Sequence, residues 1–412
     1  MSVRASGTDA RALIAASARV REAVPLLIEA AEPEQRVALV GGVVRDLLRG
    51  MEAREVDVVV EGDGVAYAKR LAALTGADVR IYAAFGTATI ASRPPVDVAT
   101  ARSETYTEPG ALPTVEPATL EQDLARRDLT VNAIAAVVAG PDAGALLDPF
   151  GGAADVRAGA LRLLRPDAFE EDATRLVRAA RYAARLGAMP DSTLVHAAKA
   201  AGHGGFVELT GPTRMMDALR LVFEESEPAA VLALLMEWGV LVAIEPGLAA
   251  DLEKVQAAWT LLEDEVRDAD RVALGLGLIA SGLDPNRRVA WLTEGGLDRS
   301  TIKSALAAAD GAVLAAAIVG RSDADVDVAC ARVPAEGVIA AGGDEAARYL
   351  SRLRHMALGV DGDDVRRVAA VEGPEIGRLL IELRRACIDG TVADTRDAQL
   401  AWLADDARTR RD

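Results

Sequence analysis

Residues 36–63, RVALVGGVVRDLLRGMEAREVDVVVEGD, decide the fold. Residues 36–40 form an apolar, β-branched run that stops at Gly41-Gly42. A helical pattern follows, with Val43, Val44, Leu47 and Leu48 on one side and Arg45, Asp46 and Arg49 on the other. Two glycines between a strand and a helix start let backbone N–H groups approach an anion, since no Cβ stands in the way. The next strand, 55–61, alternates. Its period of two puts the Glu55 and Asp57 carboxylates on one face and Val56, Val58 and Val60 toward the core. A phosphate cradle beside paired carboxylates suits a triphosphate with divalent metal ions.

Working outward, residues 9–32 have the period of an amphipathic helix leading into this unit. Residues 64–75 predict a helix, and 78–82, 87–91 and 96–99 three short strands, which makes the region an α+β domain. Asp97 lies between Val96 and Val98 and faces opposite to them. It is either a third carboxylate beside Glu55 and Asp57 or a solvated strand residue. Residues 101–118, rich in proline and glycine, are expected as a long loop. In the segment that follows, Arg126, Arg127, Asp128, Thr130 and Asn132 punctuate apolar residues. Such groups can hold a ribose and phosphates, and a surface ion pair ahead of a buried strand has the same pattern. Leu147-Asp148-Pro149-Phe150-Gly151-Gly152 closes the region with a turn.

From Pro166 onward the pattern is helical almost to the end. On a helix over 169–186, Arg175, Arg178, Arg181 and Arg185 share one face, and Glu171 and Asp172 precede Arg175 by one turn. Acids that fix an arginine make a rigid set of donors and acceptors able to pair with a nucleobase edge. The later helices, including 375–387 after Gly373-Pro374, carry no unusual chemistry.

The 412 residues allow several domains. Hydrophobic residues make up 51% but aromatic ones only 3%, which favours helices packed through alanine and leucine. The net charge of −17 disfavours a nucleic-acid partner in bulk. Locally, seven arginines lie between 157 and 185 against four acids, which leaves room for a basic patch. Cys330 and Cys387 are far apart and the three histidines are scattered, so neither a disulfide framework nor a His/Cys metal site is expected. No run of about eighteen apolar residues occurs, and MSVRASGTDARAL has no signal pattern, so a soluble cytoplasmic protein without membrane partners is expected.

In order, these motifs resemble the class II tRNA nucleotidyltransferases, the CCA-adding enzymes and related bacterial poly(A) polymerases. Gly41-Gly42-Val43-Val44-Arg45-Asp46 is similar to the family's GGxVRD, and Glu55-Val56-Asp57 stands at its metal-binding DxD. Arg126 to Ala133 resembles RRDFTxNA, which in the family recognises the ribose, and Asp148 to Gly152 resembles its hinge. Glu171-Asp172-Ala173-Thr174-Arg175 looks like EDxxR, the family's protein template for the bases of CTP and ATP. The resemblance implies a polymerase-β-like nucleotidyltransferase head over 1–152, a helical neck with the nucleobase-recognition helix over 153–245, and a helical, RNA-binding body and tail over 246–412. It implies Glu55 and Asp57 as catalytic residues that bind Mg²⁺; Asp97 joins them as a catalytic candidate from its strand position alone. It implies Gly41, Gly42, Arg45, Asp46, Arg127, Asp128, Asn132, Glu171, Asp172 and Arg175 as nucleotide-binding residues, to which the arginine face of the helix adds Arg178. The reaction would be attack of the tRNA 3′-hydroxyl on the α-phosphate of CTP or ATP. The loop 101–118 would govern the switch to ATP.

One departure is Glu55, where the family has aspartate. The extra methylene moves the carboxylate by about 1.5 Å. It makes a catalytically weak RNA-binding homologue one alternative within the family; a poly(A) polymerase is another. A dinucleotide-dependent enzyme, suggested by VALVGGVVRD alone, is disfavoured by the absence of G-x-G-x-x-G.

Overall fold

The computed structural model describes residues 10–53 and 55–409. Position 9, where the first helix was expected to begin, and most of the stretch MSVRASGTDARAL lie outside the described residues. The chain forms two compact units, one of residues up to 218 with 234–244, the other of 219–233 with 245–412.

The first unit is built on a sheet. Its elements in order are α1 (Ala10–Ala16), α2 (Ala18–Glu29), β1 (Val37–Val40), α3 (Gly42–Leu48), β2 (Val56–Val60) and α4 (Gly64–Thr75). β3 (Val79–Tyr82), β4 (Thr87–Ile90), β5 (Val96–Thr100), β6 (Arg102–Thr105) and β7 (Thr114–Pro117) come next. After them lie α5 (Leu120–Ala125), β8 (Ala135–Ala139), β9 (Leu146–Leu147), α6 (Gly152–Ala158), α7 (Ala168–Glu171) and α8 (Thr174–Leu186). Seven strands make one sheet in the order β3-β4-β5-β2-β1-β8-β9. β1 is antiparallel to β2 and β8, whereas β2 and β5 run parallel, as a crossover through α4, β3 and β4 requires. One face packs against α1 to α4 through Leu27, Leu39, Val44, Val58, Tyr67 and Leu71, all almost fully buried. On the other face Ala38, Val40 and Val59 meet Leu120 and Leu124 of α5. From Val58 to Val60 β2 is therefore apolar and buried on both faces, more than simple alternation predicts, and Asp57 interrupts the second face.

Three expectations are corrected by local chemistry. The helix over 9–32 is two helices, because Ser17 caps α2 by accepting from the Val20 N–H. The Glu52 carboxylate fixes that break, accepting from the Ser17 hydroxyl at 2.7 Å and the Arg19 N–H at 2.8 Å. The helix over 169–186 also divides, at Asp172, whose backbone is extended and whose carboxylate accepts from the Thr174 N–H at 3.0 Å and hydroxyl at 2.7 Å. The loop 101–118 contains a hairpin, β6 paired antiparallel with β7 from Arg102↔Pro117 to Thr105↔Thr114. At the turn after β9, the Asp148 carboxylate accepts from the N–H groups of Gly152 and Ala153. Gly152 is required there, since a Cβ would stand 2.0 Å from the Thr130 carbonyl oxygen.

In the second unit the described residues form helices and no strand. Phe223 and Trp259 pack with ring centroids 6.0 Å apart. Toward the C-terminus Val365, Leu379, Leu383 and Leu403 form a separate buried cluster. Arg384 grips the buried Asp327 through Nε at 2.6 Å and a second nitrogen at 2.7 Å. Cys330 and Cys387 are free and buried. No single helix among the described residues is long and apolar enough to cross a membrane.

Candidate active site

The carboxylates come together through strand pairing. β2 and β5 run in register with Val56 opposite Val96 and Asp57 opposite Asp97, so these two aspartates are ladder neighbours on one face. Asp97 is exposed and accepts from the Thr89 hydroxyl at 2.6 Å, while Asp57 is half-buried. Glu55 is not in the strand; it is an exposed residue at the bend just before it. Burial raises the Asp57 carboxyl to about 6, with the charges of Glu55 and Asp97 adding to the rise and Arg127 and Arg178 opposing it. Three acids thus act on one another, and Asp97 is both a neighbour of Asp57 in the ladder and a solvated strand residue.

The glycine turn sits directly over this group. Gly41 has φ +64°, and its N–H donates to the Ile134 carbonyl at 3.0 Å, carrying the β1–β8 ladder to the helix start. A Cβ on Gly41 would lie 2.8 Å from an Arg127 terminal nitrogen, and one on Gly42 would lie 3.9 Å from an Asp57 carboxylate oxygen. Backbone, guanidinium and carboxylate are therefore close to van der Waals range of one another, and the positive φ at Gly41 is what favours glycine there.

Arg45 was placed on the polar side of α3 by helical periodicity, yet it is 4% exposed. It donates to the Asn132 side-chain oxygen at 2.7 Å, pairs with Asp46 at 3.0 Å, and lies 5.1 Å from the Tyr182 ring centre. Arg127 donates to the Asn132 carbonyl and to Asp123. Asp123 is 1% exposed and also takes Arg126, and the two arginines hold its carboxyl below the usual range against the effect of burial. Nε of Arg127 and the side-chain nitrogen of Asn132 are buried without a protein partner. Nε of Arg165 and the indole nitrogens of Trp238 and Trp259 are left open in the same way.

A cavity of about 520 Å³ opens beside these groups, bordered by Arg127, Asp128, Asp172, Arg175, Arg178 and Arg214 among others. Asp128, 6% exposed, accepts from its neighbour's N–H and pairs with Arg178 Nε at 2.5 Å. Arg178 and Arg175 hold the Asp128 carboxyl low despite its burial. Arg175 pairs with Glu171 at 3.1 Å and donates at 3.0 Å to the Tyr106 hydroxyl, which itself donates to Glu104. Burial pushes the Tyr106 hydroxyl up to about 12. Asp172 does not pair with Arg175. Its second oxygen is taken by Arg214 at 2.9 Å, and Arg214 also donates to the Gly110 carbonyl at the hairpin tip.

The structure thus gathers the predicted residues into a carboxylate group under a glycine turn and an arginine-rich cavity next to it. Sequence reading missed Glu104, Tyr106, Asp123 and Arg214. The first two carried a signal, the alternation of Arg102, Glu104 and Tyr106 within a stretch otherwise marked by proline. Asp123 and Arg214 sit on ordinary helical faces and carried none. Among the described residues no cluster of three or more His, Cys, Asp or Glu is arranged to cage an ion. The acids fit instead a hard cation that takes its other ligands from water and phosphate.

A family model described as the poly(A) polymerase head domain matches residues 37–162. An A-adding tRNA nucleotidyltransferase of Aquifex aeolicus is 38% identical over 268 residues, covering 63% of this chain and 32% of that protein. A CC-adding tRNA nucleotidyltransferase of Deinococcus radiodurans is 35% identical over 263 residues, covering 60% of this chain and 69% of that protein. This chain therefore spans about a third of the length of the Aquifex relative and two thirds of the Deinococcus one. In fold it is similar to a CCA-adding enzyme solved in an apo form, with a TM-score of 0.83, 24% identity, and 97% of this chain and 99% of that one covered.

Proposed function

The chain belongs to the tRNA nucleotidyltransferase family, and from that premise we propose that it transfers CMP, AMP or both from CTP and ATP to the 3′ end of tRNA, releasing pyrophosphate. The observation that carries the proposal is the continuity of the cavity with the acids. Arg127 and Arg178 border the cavity and also act electrostatically on Asp57. A nucleotide with its base among Glu171, Asp172 and Arg175 has its phosphates near those arginines and the glycine turn. Arg127 and Asn132 offer the ribose and phosphates donors that have no partner in the protein. Asp57, with Glu55 and Asp97, faces the point where the attacking hydroxyl meets the α-phosphate. Arg45 and Asp46 support this wall by orienting Asn132.

Mg²⁺ held by Glu55, Asp57 and phosphate oxygens would supply charge neutralisation at the α-phosphate and a more acidic 3′-hydroxyl. Glu55, being exposed at a bend and not locked in a ladder, has the freedom to absorb its extra methylene. In this reading residues 1–152 are the catalytic head, 153–245 the neck and 246–412 an RNA-binding body and tail, working in the cytoplasm.

Purified protein is given Mg²⁺, labelled CTP or ATP, and tRNAs ending at the discriminator base, at C and at CC. Extension of at least one by single nucleotides is expected, and the substrate chosen defines CCA, CC or A addition. Long adenosine runs would transfer the protein to the poly(A) polymerases. Binding of tRNA with no incorporation of either nucleotide would leave a silent homologue.

A further inference from the structure

Three guanidinium groups converge on one phenol ring. The carbons of Arg45, Arg178 and Arg185 lie 5.1, 5.0 and 5.7 Å from the centre of the half-buried Tyr182 ring. Like charges at this spacing repel, and the electron-rich face of an aromatic ring is one group that lets them gather. Two of the three are also anchored to the segment that follows α5, Arg45 to Asn132 and Arg178 to Asp128. Tyr182 therefore stands where α3, that segment and α8 meet.

Arg178 is the telling member. Its side chain remains 47% exposed although it is ion-paired, because it opens into the cavity. Asp128 fixes it on one side and the Tyr182 ring on another. A flexible side chain held so gives up little rotamer freedom when a ligand arrives. Lying between the base-reading groups and the carboxylates, it is placed for the phosphates of a nucleotide.

We infer that Tyr182 is a positioning residue for nucleoside triphosphate binding, acting through Arg178, which it holds toward the phosphates. The inference rests on the nucleotide-binding function proposed above. It makes the strength of the ring face, not its size, the quantity that matters.

The experiment replaces Tyr182 by phenylalanine and by phenylalanines carrying successively more fluorine, which drain the ring face while keeping its shape. Dissociation constants for CTP, ATP and CMP are measured on the full chain, with a melting temperature for each variant to show that it is folded. Tyr182→Phe is expected to stay within about twofold of wild type, and full fluorination to weaken triphosphate binding roughly tenfold, with a smaller change for CMP. A flat series overturns the inference, as does an equal loss for CMP and CTP, which would mean general damage to the pocket. Wild-type protein binding neither CTP nor ATP overturns the reading beneath it as well, so the two failures are distinguishable.

Discussion

The two faces of the seven-stranded sheet are made from the same strands and do different things. On one, Val56, Val58 and Val60 of β2 lie in an apolar layer under α1 to α4. On the other, Val59 packs against α5, but its face-mate Asp57 stands in register with Asp97 under the glycine turn. The first face lowers the free energy of the folded chain. The second gives some of that back beside its own apolar patch, since burial lifts Asp57 to about 6 and donors at Arg127 and Asn132 are left unsatisfied. A period of two lets one strand keep these demands apart.

Three predictions test that separation. The largest effect is expected for Asp57→Ala, which should reduce nucleotide incorporation by roughly 10³-fold or more in single-turnover extension. Circular dichroism and the melting temperature should show a fold at least as stable as wild type in metal-free buffer. A marked loss of stability would mean that the two faces are not separate.

Next is Leu39→Ala on the apolar face, where the side chain is fully buried. It should cost about 2 to 5 kcal/mol in urea unfolding. Molecules that remain folded should bind CTP as wild type does.

The smallest effect concerns pH. A carboxyl whose folded pKa lies above its unfolded value favours folding while protonated, and that contribution is lost as pH rises from about 3.8 through about 6. Metal-free wild type should therefore lose stability relative to Asp57→Asn across this window, by no more than about 3 kcal/mol. Parallel unfolding curves at pH 4 and pH 8 measure the difference. A gap that does not widen with pH would refute the strain assigned to Asp57.

What could be foreseen from the sequence follows the range of the interactions. The helix α4 matches its expected span because both ends are set locally, by the Asp63 carboxylate accepting from the Ala66 N–H and by the left-handed Gly76. The glycine turn was legible for the same reason. The parallel pairing of Asp57 with Asp97 was not, because two further strands and a helix come between them in the chain. Arg45 was misplaced since a helical wheel counts its own helix and cannot count Asn132 and Tyr182 arriving from elsewhere. Likewise the expected Asp172–Arg175 pairing at helical spacing gave way to Arg214, once Asp172 left the helix and turned one oxygen to Thr174.

The hairpin β6–β7 also has a length that matters. Its tip is tied at two points, the Gly110 N–H to the Glu171 carbonyl at 3.1 Å and the Gly110 carbonyl to Arg214 at 2.7 Å. Strands advance about 3.4 Å per residue. Removing one cross-strand pair would thus retract the tip by more than a hydrogen bond can stretch, and adding one would push it past its moorings. The hairpin is a strut cut to size, and its residue count shapes the arginine-lined cavity as much as the side chains that border it.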